Sequence, residues 1–80
     1  MDLEIIGPLS HQVIPIVWLE VNTPAGNFVI QPGHAPLLVT LSPGQDITFG
    51  LKNGKFQTLT ISAGILNVER TKATIILAGT

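Results

Sequence analysis

Proline and glycine interrupt this sequence so regularly that no stretch remains in which a helix can form and propagate. Eight glycines and six prolines are spread over 80 residues, and between them lie short runs rich in Val, Ile, Leu and Thr, the composition of strands bounded by turns. The runs are Leu3–Ile6, Ile14–Val21, Asn27–Gln31, Leu37–Leu41, Asp46–Leu51, Lys55–Ile61, Ile65–Glu69 and Ala73–Leu77. They are closed by Gly7-Pro8, Thr23-Pro24-Ala25-Gly26, Pro32-Gly33, Ser42-Pro43-Gly44, Asn53-Gly54, Ser62-Ala63-Gly64 and Arg70-Thr71-Lys72. Strands at a spacing of roughly ten residues, with no room for crossover helices, predict an all-β fold: a flattened antiparallel β-sandwich or barrel of about 8–10 short strands. No linker, repeat or low-complexity tract divides the chain, so a single domain is expected over residues 1–80. Pro15 marks its strand as an edge or an entry point, because proline cannot donate to a ladder.

The hairpin around Asn53-Gly54 allows a test of register. A two-residue loop would pair Leu51 with Phe56 and put Leu59 and Ile61 on the face away from Ile47 and Phe49. A three-residue loop, Lys52-Asn53-Gly54 with Gly54 in the left-handed region, puts Ile47, Phe49, Leu51, Leu59 and Ile61 on one face. The three-residue loop is therefore expected, with Phe56 facing outward near the hairpin tip. Phe28 and Phe49 are expected in the core, and so is Trp18, set between Val17 and Leu19. Gly64 is expected at a bulge or a close sheet contact.

Charge narrows the function classes. Four Lys/Arg and five Asp/Glu make up 11% of the residues, well below the usual quarter or so. The outside must therefore be largely uncharged, as an ordinary polar β surface or as an apolar patch that meets a partner. No lysine or arginine precedes Lys52, which argues against nucleic acid and against a polybasic membrane anchor. No apolar run approaches the roughly 20 residues needed to span a bilayer as a helix. The start, Met1-Asp2-Leu3-Glu4, is acidic where a signal peptide is basic, and the chain has no cysteine; both fit synthesis and retention in the cytosol.

Material for catalysis is scarce. His11 and His34 are the general-base candidates near neutral pH, and two histidines without a third ligand make a poor zinc site. There is no cysteine nucleophile, no Gly-x-Ser-x-Gly and no glycine loop leading into a helix. No catalytic residue, metal or cofactor is expected. The densest cluster of special residues is Gly26-Asn27-Phe28-Val29-Ile30-Gln31-Pro32-Gly33-His34-Ala35-Pro36-Leu37-Leu38. Its prolines and glycines hold the backbone in one shape, which suits recognition because little entropy is left to lose on binding. The same residues would also serve a plain tight turn, with His34 as a cap or filler.

This segment resembles the signature of the N-terminal β-sandwich of the ATP synthase epsilon subunit, Gly-x-hydrophobic-x-Ile-x-Pro-Gly-His-Ala-Pro-Leu-Leu. Leu41-Ser42-Pro43-Gly44 is similar to the turn that follows in that family, and Ser62-Ala63-Gly64-Ile65-Leu66-Asn67-Val68 and Ala73-Thr74-Ile75-Ile76-Leu77-Ala78 are similar to its later strands. The resemblance implies a flattened ten-stranded sandwich that is non-catalytic and joins the rotor stalk of an F-type ATP synthase, with the gamma subunit and the membrane c-ring as partners and no nucleic acid. It implies a c-ring side at Ala25, Gly26, Asn27 and at Gln31, Pro32, Gly33 and His34, and a gamma side at Ala35, Pro36 and Leu38. It also implies a peripheral location on the cytoplasmic face of an energy-transducing membrane, with the bacterial inner membrane the leading expectation. The helical pair that family members carry after the sandwich has no counterpart in these 80 residues, so its regulatory and nucleotide-binding roles do not carry over. Asn27 stands where an acidic residue is common, which removes an ion pair from the expected ring contact. Ala63 and Asn67 stand where a glycine and a glutamate are common. The competing expectation is a free-standing small β-barrel that binds a small ligand through His11 and His34 in an apolar pocket.

Overall fold

A computed structural model describes residues 1–78; Gly79 and Thr80, which close the domain expected over 1–80, lie outside the described residues. Nine strands follow in order: β1 (Asp2–Ile6), β2 (His11–Pro15), β3 (Trp18–Thr23), β4 (Gly26–Ile30), β5 (Leu37–Leu41), β6 (Gln45–Gly50), β7 (Phe56–Ile61), β8 (Gly64–Val68) and β9 (Lys72–Leu77). They form a five-stranded sheet, β2-β1-β9-β8-β5, and a four-stranded sheet, β4-β3-β6-β7. The expected all-β sandwich is therefore present. One pairing departs from the antiparallel expectation: β1 runs parallel to β9. A parallel neighbour requires a long crossover, and here everything between the two strands supplies it.

The single strand expected over Ile14–Val21 is two strands in different sheets. Ile14 and Ile16 point inward on one side of the break, and Leu19 and Val21 do so on the other, so the inward phase shifts by one residue at Val17. The chain leaves the five-stranded sheet at Pro15, at the end of an edge strand. Ile16, fully buried, plugs the corner. The amide of Ile16 donates to the Met1 carbonyl and that of Val17 to the Gly50 carbonyl, both at 2.8 Å, so the corner is tied to both sheets.

The core lies between the inner faces, where Leu3, Leu19, Ile30, Phe49, Leu66 and Ile75 are wholly buried. Each such side chain stabilises the fold by about 1.5–3 kcal/mol relative to exposure. Among the described residues no polar or charged residue is buried, so the core is held by packing without internal hydrogen bonds of side chains. The β6–β7 hairpin has the expected three-residue loop: Leu51 donates to the Lys55 carbonyl at 2.8 Å, and Gly54, at φ 86°, donates to the Leu51 carbonyl at 3.1 Å. Ile47 faces Leu59 and Phe49 faces Gln57, while Phe56 points outward, 67% exposed.

Trp18 is not in the core. It pairs with Gly50 on the outer face of the four-stranded sheet, half-buried, with its indole lying over the space that a Cβ on Gly50 would fill. Gly64 sits at a close sheet contact, as expected: an added Cβ would stand 2.5 Å from the Ile76 backbone oxygen. That oxygen is part of the strand and cannot swing away. Gly64→Ala is expected to destabilise the fold by about 1–3 kcal/mol, lowering the thermal midpoint by about 4–8 °C for each kcal/mol, as read by circular dichroism.

On the outer face of the five-stranded sheet, the Glu4 carboxylate accepts from Lys72 Nζ at 3.1 Å and from His11 Nε2 at 2.5 Å. Lys72 first, and His11 second, hold the Glu4 carboxyl below its ordinary value of 4.5, and Glu4 raises Lys72 above 10.5. A lowered carboxyl stabilises the fold fully above its unfolded pKa and loses that contribution as pH falls through the folded value. A raised ammonium does so below its unfolded pKa and loses it as pH rises through the folded value. Lys72→Met is thus expected to flatten the fall in thermal midpoint both below about pH 4.5 and above about pH 10.5, in melts followed across pH.

Candidate functional site

The strand ends sort the loops into two groups. The β1–β2 loop (residues 7–10), the β3–β4 turn (24–25), the β5–β6 loop (42–44) and the β7–β8 turn (62–63) gather at one end, because Ile6 pairs with Ile76, Val21 with Ile47, and Gln45 with Ile61. These four connections contain no Asp, Glu, Lys, Arg or His. At the opposite end lie the 31–36 loop, the β6–β7 turn and the β8–β9 turn. With Lys52 and Lys55 in or beside the β6–β7 turn and Arg70 and Lys72 in or beside the β8–β9 turn, all four Lys/Arg residues belong to this second end.

The candidate c-ring residues divide between the two ends. Ala25, Gly26 and Asn27 belong to the uncharged end. Thr23 shapes the turn, its Oγ1 donating to the Gly26 carbonyl at 3.0 Å and accepting from the Ala25 amide at 3.1 Å. Asn27 is held on the outer face of β4, donating through Nδ2 to Asn22 Oδ1 at 2.8 Å and to Glu20 Oε2 at 3.2 Å. Gln31, Pro32, Gly33 and His34 lie at the basic end, beyond the far end of β4, about 16 Å away by the rise of an extended strand. A single flat partner against one end of the sandwich meets one of these groups and not the other.

The 31–34 segment is a fixed turn. The His34 amide donates to the Gln31 carbonyl at 3.0 Å, and the Gly33 amide, at φ 86°, donates to the Arg70 carbonyl at 2.8 Å, tying the loop to the β8–β9 turn. His34 Nδ1 donates to the Ala35 carbonyl at 2.6 Å, and the side chain is half-buried. His11, the first residue of β2, sits near the uncharged end and is engaged with Glu4. The two histidines are at opposite ends and share no pocket, against the small-ligand alternative.

Of the candidate gamma-side residues, Ala35 and Pro36 belong to the basic-end loop, whereas Leu38 stands on the outer face of the five-stranded sheet, 70% exposed. It has apolar company there. Ile65 pairs with Ile76, and Ile76 with Ile6, making a continuous isoleucine row across β8, β9 and β1 that ends at His11 on β2, while Val13 stands two residues away, opposite Glu4. Leu38, Val13, Ile76 and Ile65 are all about half exposed or more. Their signal in the sequence is broken alternation: Ile5-Ile6, Val13-Ile14, Leu37-Leu38-Val39, Ile65-Leu66 and Ile75-Ile76-Leu77 place apolar residues on both faces of every strand in this sheet. A shallow groove of about 290 Å³ between the β3–β4 turn and β5, lined by Thr23, Pro24, Ala25, Leu38, Val39 and Thr40, joins this face to the uncharged end.

A family model described as the ATP synthase delta/epsilon chain β-sandwich domain matches residues 10–79. Among solved structures, the chain aligns at a TM-score of 0.85 and 20% identity with a chain of the Euglena gracilis mitochondrial ATP synthase, from a structure of its OSCP, F1 and c-ring in rotational state 1; the alignment covers 94% of this chain and 48% of that one. It aligns at 0.77 and 18% identity with a chain from the central stalk and c-ring of the Tetrahymena thermophila mitochondrial ATP synthase, over 95% of this chain and 61% of that one. The chain spans about half to three-fifths of the length of these neighbours. With a family match extending over most of its residues, the chain belongs to the delta/epsilon-chain β-sandwich family of the ATP synthase.

Proposed function

We propose that this domain is a non-catalytic module of the central rotor stalk of an F-type ATP synthase, joining the gamma subunit to the membrane c-ring and supporting the coupling of ion transport to ATP synthesis. The carrying observation is the joining, by one groove, of an uncharged end to the exposed apolar residues of one sheet face, Leu38 and the isoleucine row. Such a surface fits two partners that meet at a corner. The uncharged end, with Ala25, Gly26 and Asn27, faces the ring, and the apolar face with Leu38, continued at the basic end by Ala35 and Pro36, faces gamma. Gln31, Pro32, Gly33 and His34 lie on the gamma side in this arrangement, because the length of β4 separates them from the ring-facing turn. The domain is peripheral on an energy-transducing membrane through its partners. The bacterial inner membrane suits the cytosolic features of the sequence, while both similar assemblies are mitochondrial, so the energy-transducing character is the part the proposal leans on.

The mechanism is mechanical. Torque passes through a body whose core is wholly apolar and whose recognition turns are tied by backbone hydrogen bonds at 31–34 and by the Thr23 hydroxyl at 24–25, so load is carried without rearrangement of buried polar groups. Single charges separate the two contacts. Ala25→Glu is expected to weaken capture by detergent-solubilised c-ring at least about tenfold, through an uncompensated desolvated charge, while leaving gamma binding unchanged. Leu38→Glu is expected to do the reverse. Pull-downs against each partner check both, and equal effects of the two variants on both partners would overturn the division.

A further inference from the structure

We propose that Asn53 is a self-modifying site: its side-chain amide is hydrolysed without an enzyme, by ring closure onto the backbone nitrogen of Gly54, leaving a carboxylate at the tip of the β6–β7 hairpin. This goes beyond the stalk reading and does not rest on it. Asparagine amides are among the least durable groups in proteins. The following residue decides how fast they are lost, because its backbone nitrogen is the nucleophile. Of the four asparagines, only Asn53 precedes a glycine, which has no Cβ to crowd that nitrogen and turns freely about its backbone bonds. Asn22, Asn27 and Asn67 precede Thr23, Phe28 and Val68 and lie within β3, β4 and β8, where the ladders hold the backbone extended.

Water is the one co-reactant. The Gly54 nitrogen gives its proton to hydroxide and attacks Asn53 Cγ; the Cγ–Nδ2 bond breaks, and ammonia departs with a proton taken from water, which restores the hydroxide. The product is a succinimide ring that water opens. Attack at Cγ gives aspartate, and attack at the backbone carbonyl carbon gives isoaspartate, in which the main chain runs through the former side chain. The hairpin tip sets how often the ring can start to close. In the folded turn the Gly54 amide donates to the Leu51 carbonyl at 3.1 Å and the Lys55 amide to Asn53 Oδ1 at 3.0 Å. Both bonds must break before the peptide can rotate toward Cγ. Among the described residues no other hydrogen bond holds Lys52, Asn53 or Gly54, and all three are exposed, so the turn opens at far less cost than the fold. The surroundings favour the product. Lys52 and Lys55 flank the site, are exposed and have no ion-pair partner among the described residues, so a carboxylate between them relieves like charge. Aspartate keeps Oδ1 for the Lys55 amide and suits the turn. Isoaspartate lengthens the main chain, and the loop that fixes β6 against β7 no longer closes in the same register.

Incubation of the 80-residue chain near neutral pH is expected to yield a more acidic species, separable by anion exchange, with a mass gain of about one dalton that fragmentation places on Asn53. Asn53→Gln, whose side chain would have to close a larger ring, is expected to slow its appearance at least about tenfold. In urea, where the turn bonds are gone, the unmodified chain is expected to convert about tenfold faster than when folded. Asn53→Asp is expected to melt no lower than the unmodified chain, as read by circular dichroism. The isoaspartyl fraction, marked by protein isoaspartyl methyltransferase, is expected to exchange its Leu51 amide, which otherwise donates to the Lys55 carbonyl, at least about tenfold faster. An acidic species that forms equally fast in Asn53→Gln, or a mass gain that falls on Asn22, Asn27 or Asn67, overturns the proposal. So does a folded chain that converts as fast as the unfolded one, or one that keeps its mass indefinitely while the chain in urea converts. An Asn53→Asp variant that melts several degrees lower overturns the claim that the turn accommodates the product.

Discussion

Everything in this molecule hangs on a dry seam between two small sheets. The inner faces meet through Leu, Ile, Val and Phe side chains with no buried polar group among the described residues, and a domain of this size has little other burial to draw on. Two features keep the seam closed. The corner at Ile16 carries the chain from one sheet to the other with its backbone tied to Met1 and Gly50. The parallel pairing of β1 with β9 brings the first and last strands together inside the five-stranded sheet, so the sheet cannot form until nearly the whole chain has been gathered. Such non-local pairing is a large entropic demand for so short a chain; the ladder it completes also fixes the loops at both ends as parts of one body.

Much of this was legible in the sequence, for reasons that differ from one element to the next. The β6–β7 hairpin could be read down to its loop length because parity leaves one solution that puts Ile47, Phe49, Leu51, Leu59 and Ile61 on one face. Most of the other turns followed from proline and glycine chemistry, the β8–β9 turn excepted, and β5 was bounded correctly on both sides by it. The break after Pro15 was missed because Ile14–Val21 is apolar throughout, and the phase shift at Val17 is evident only once the inward residues are known. The same failing sent Trp18 to the core: its neighbours are apolar, but the residue that decides its place is Gly50, on another strand. Parallel pairing of β1 with β9 leaves no local trace at all, since it joins segments at opposite ends of the chain.

The candidate site was legible as residues but not as geometry. The segment from Gly26 to Leu38 was found through its prolines and glycines, yet its two halves lie at opposite ends of β4, a consequence of nothing more than strand length. The ring-side expectation grouped residues 25–27 with 31–34, which the length of β4 holds apart. The isoleucine row had a signal that went unused, the repeated failure of alternation in every strand of one sheet, which an ordinary solvated face would not show.

The scarcity of charge acquires its meaning from where the charges lie. Had the nine been scattered, the surface would be a plain polar one. Instead the four basic residues gather at one end, and the other end has connections without a single ionisable side chain. A buried contact made by uncharged side chains avoids the desolvation penalty that ion pairs carry, and it changes little with ionic strength. In the stalk role proposed above, contacts of that kind keep their strength whatever the ionic conditions.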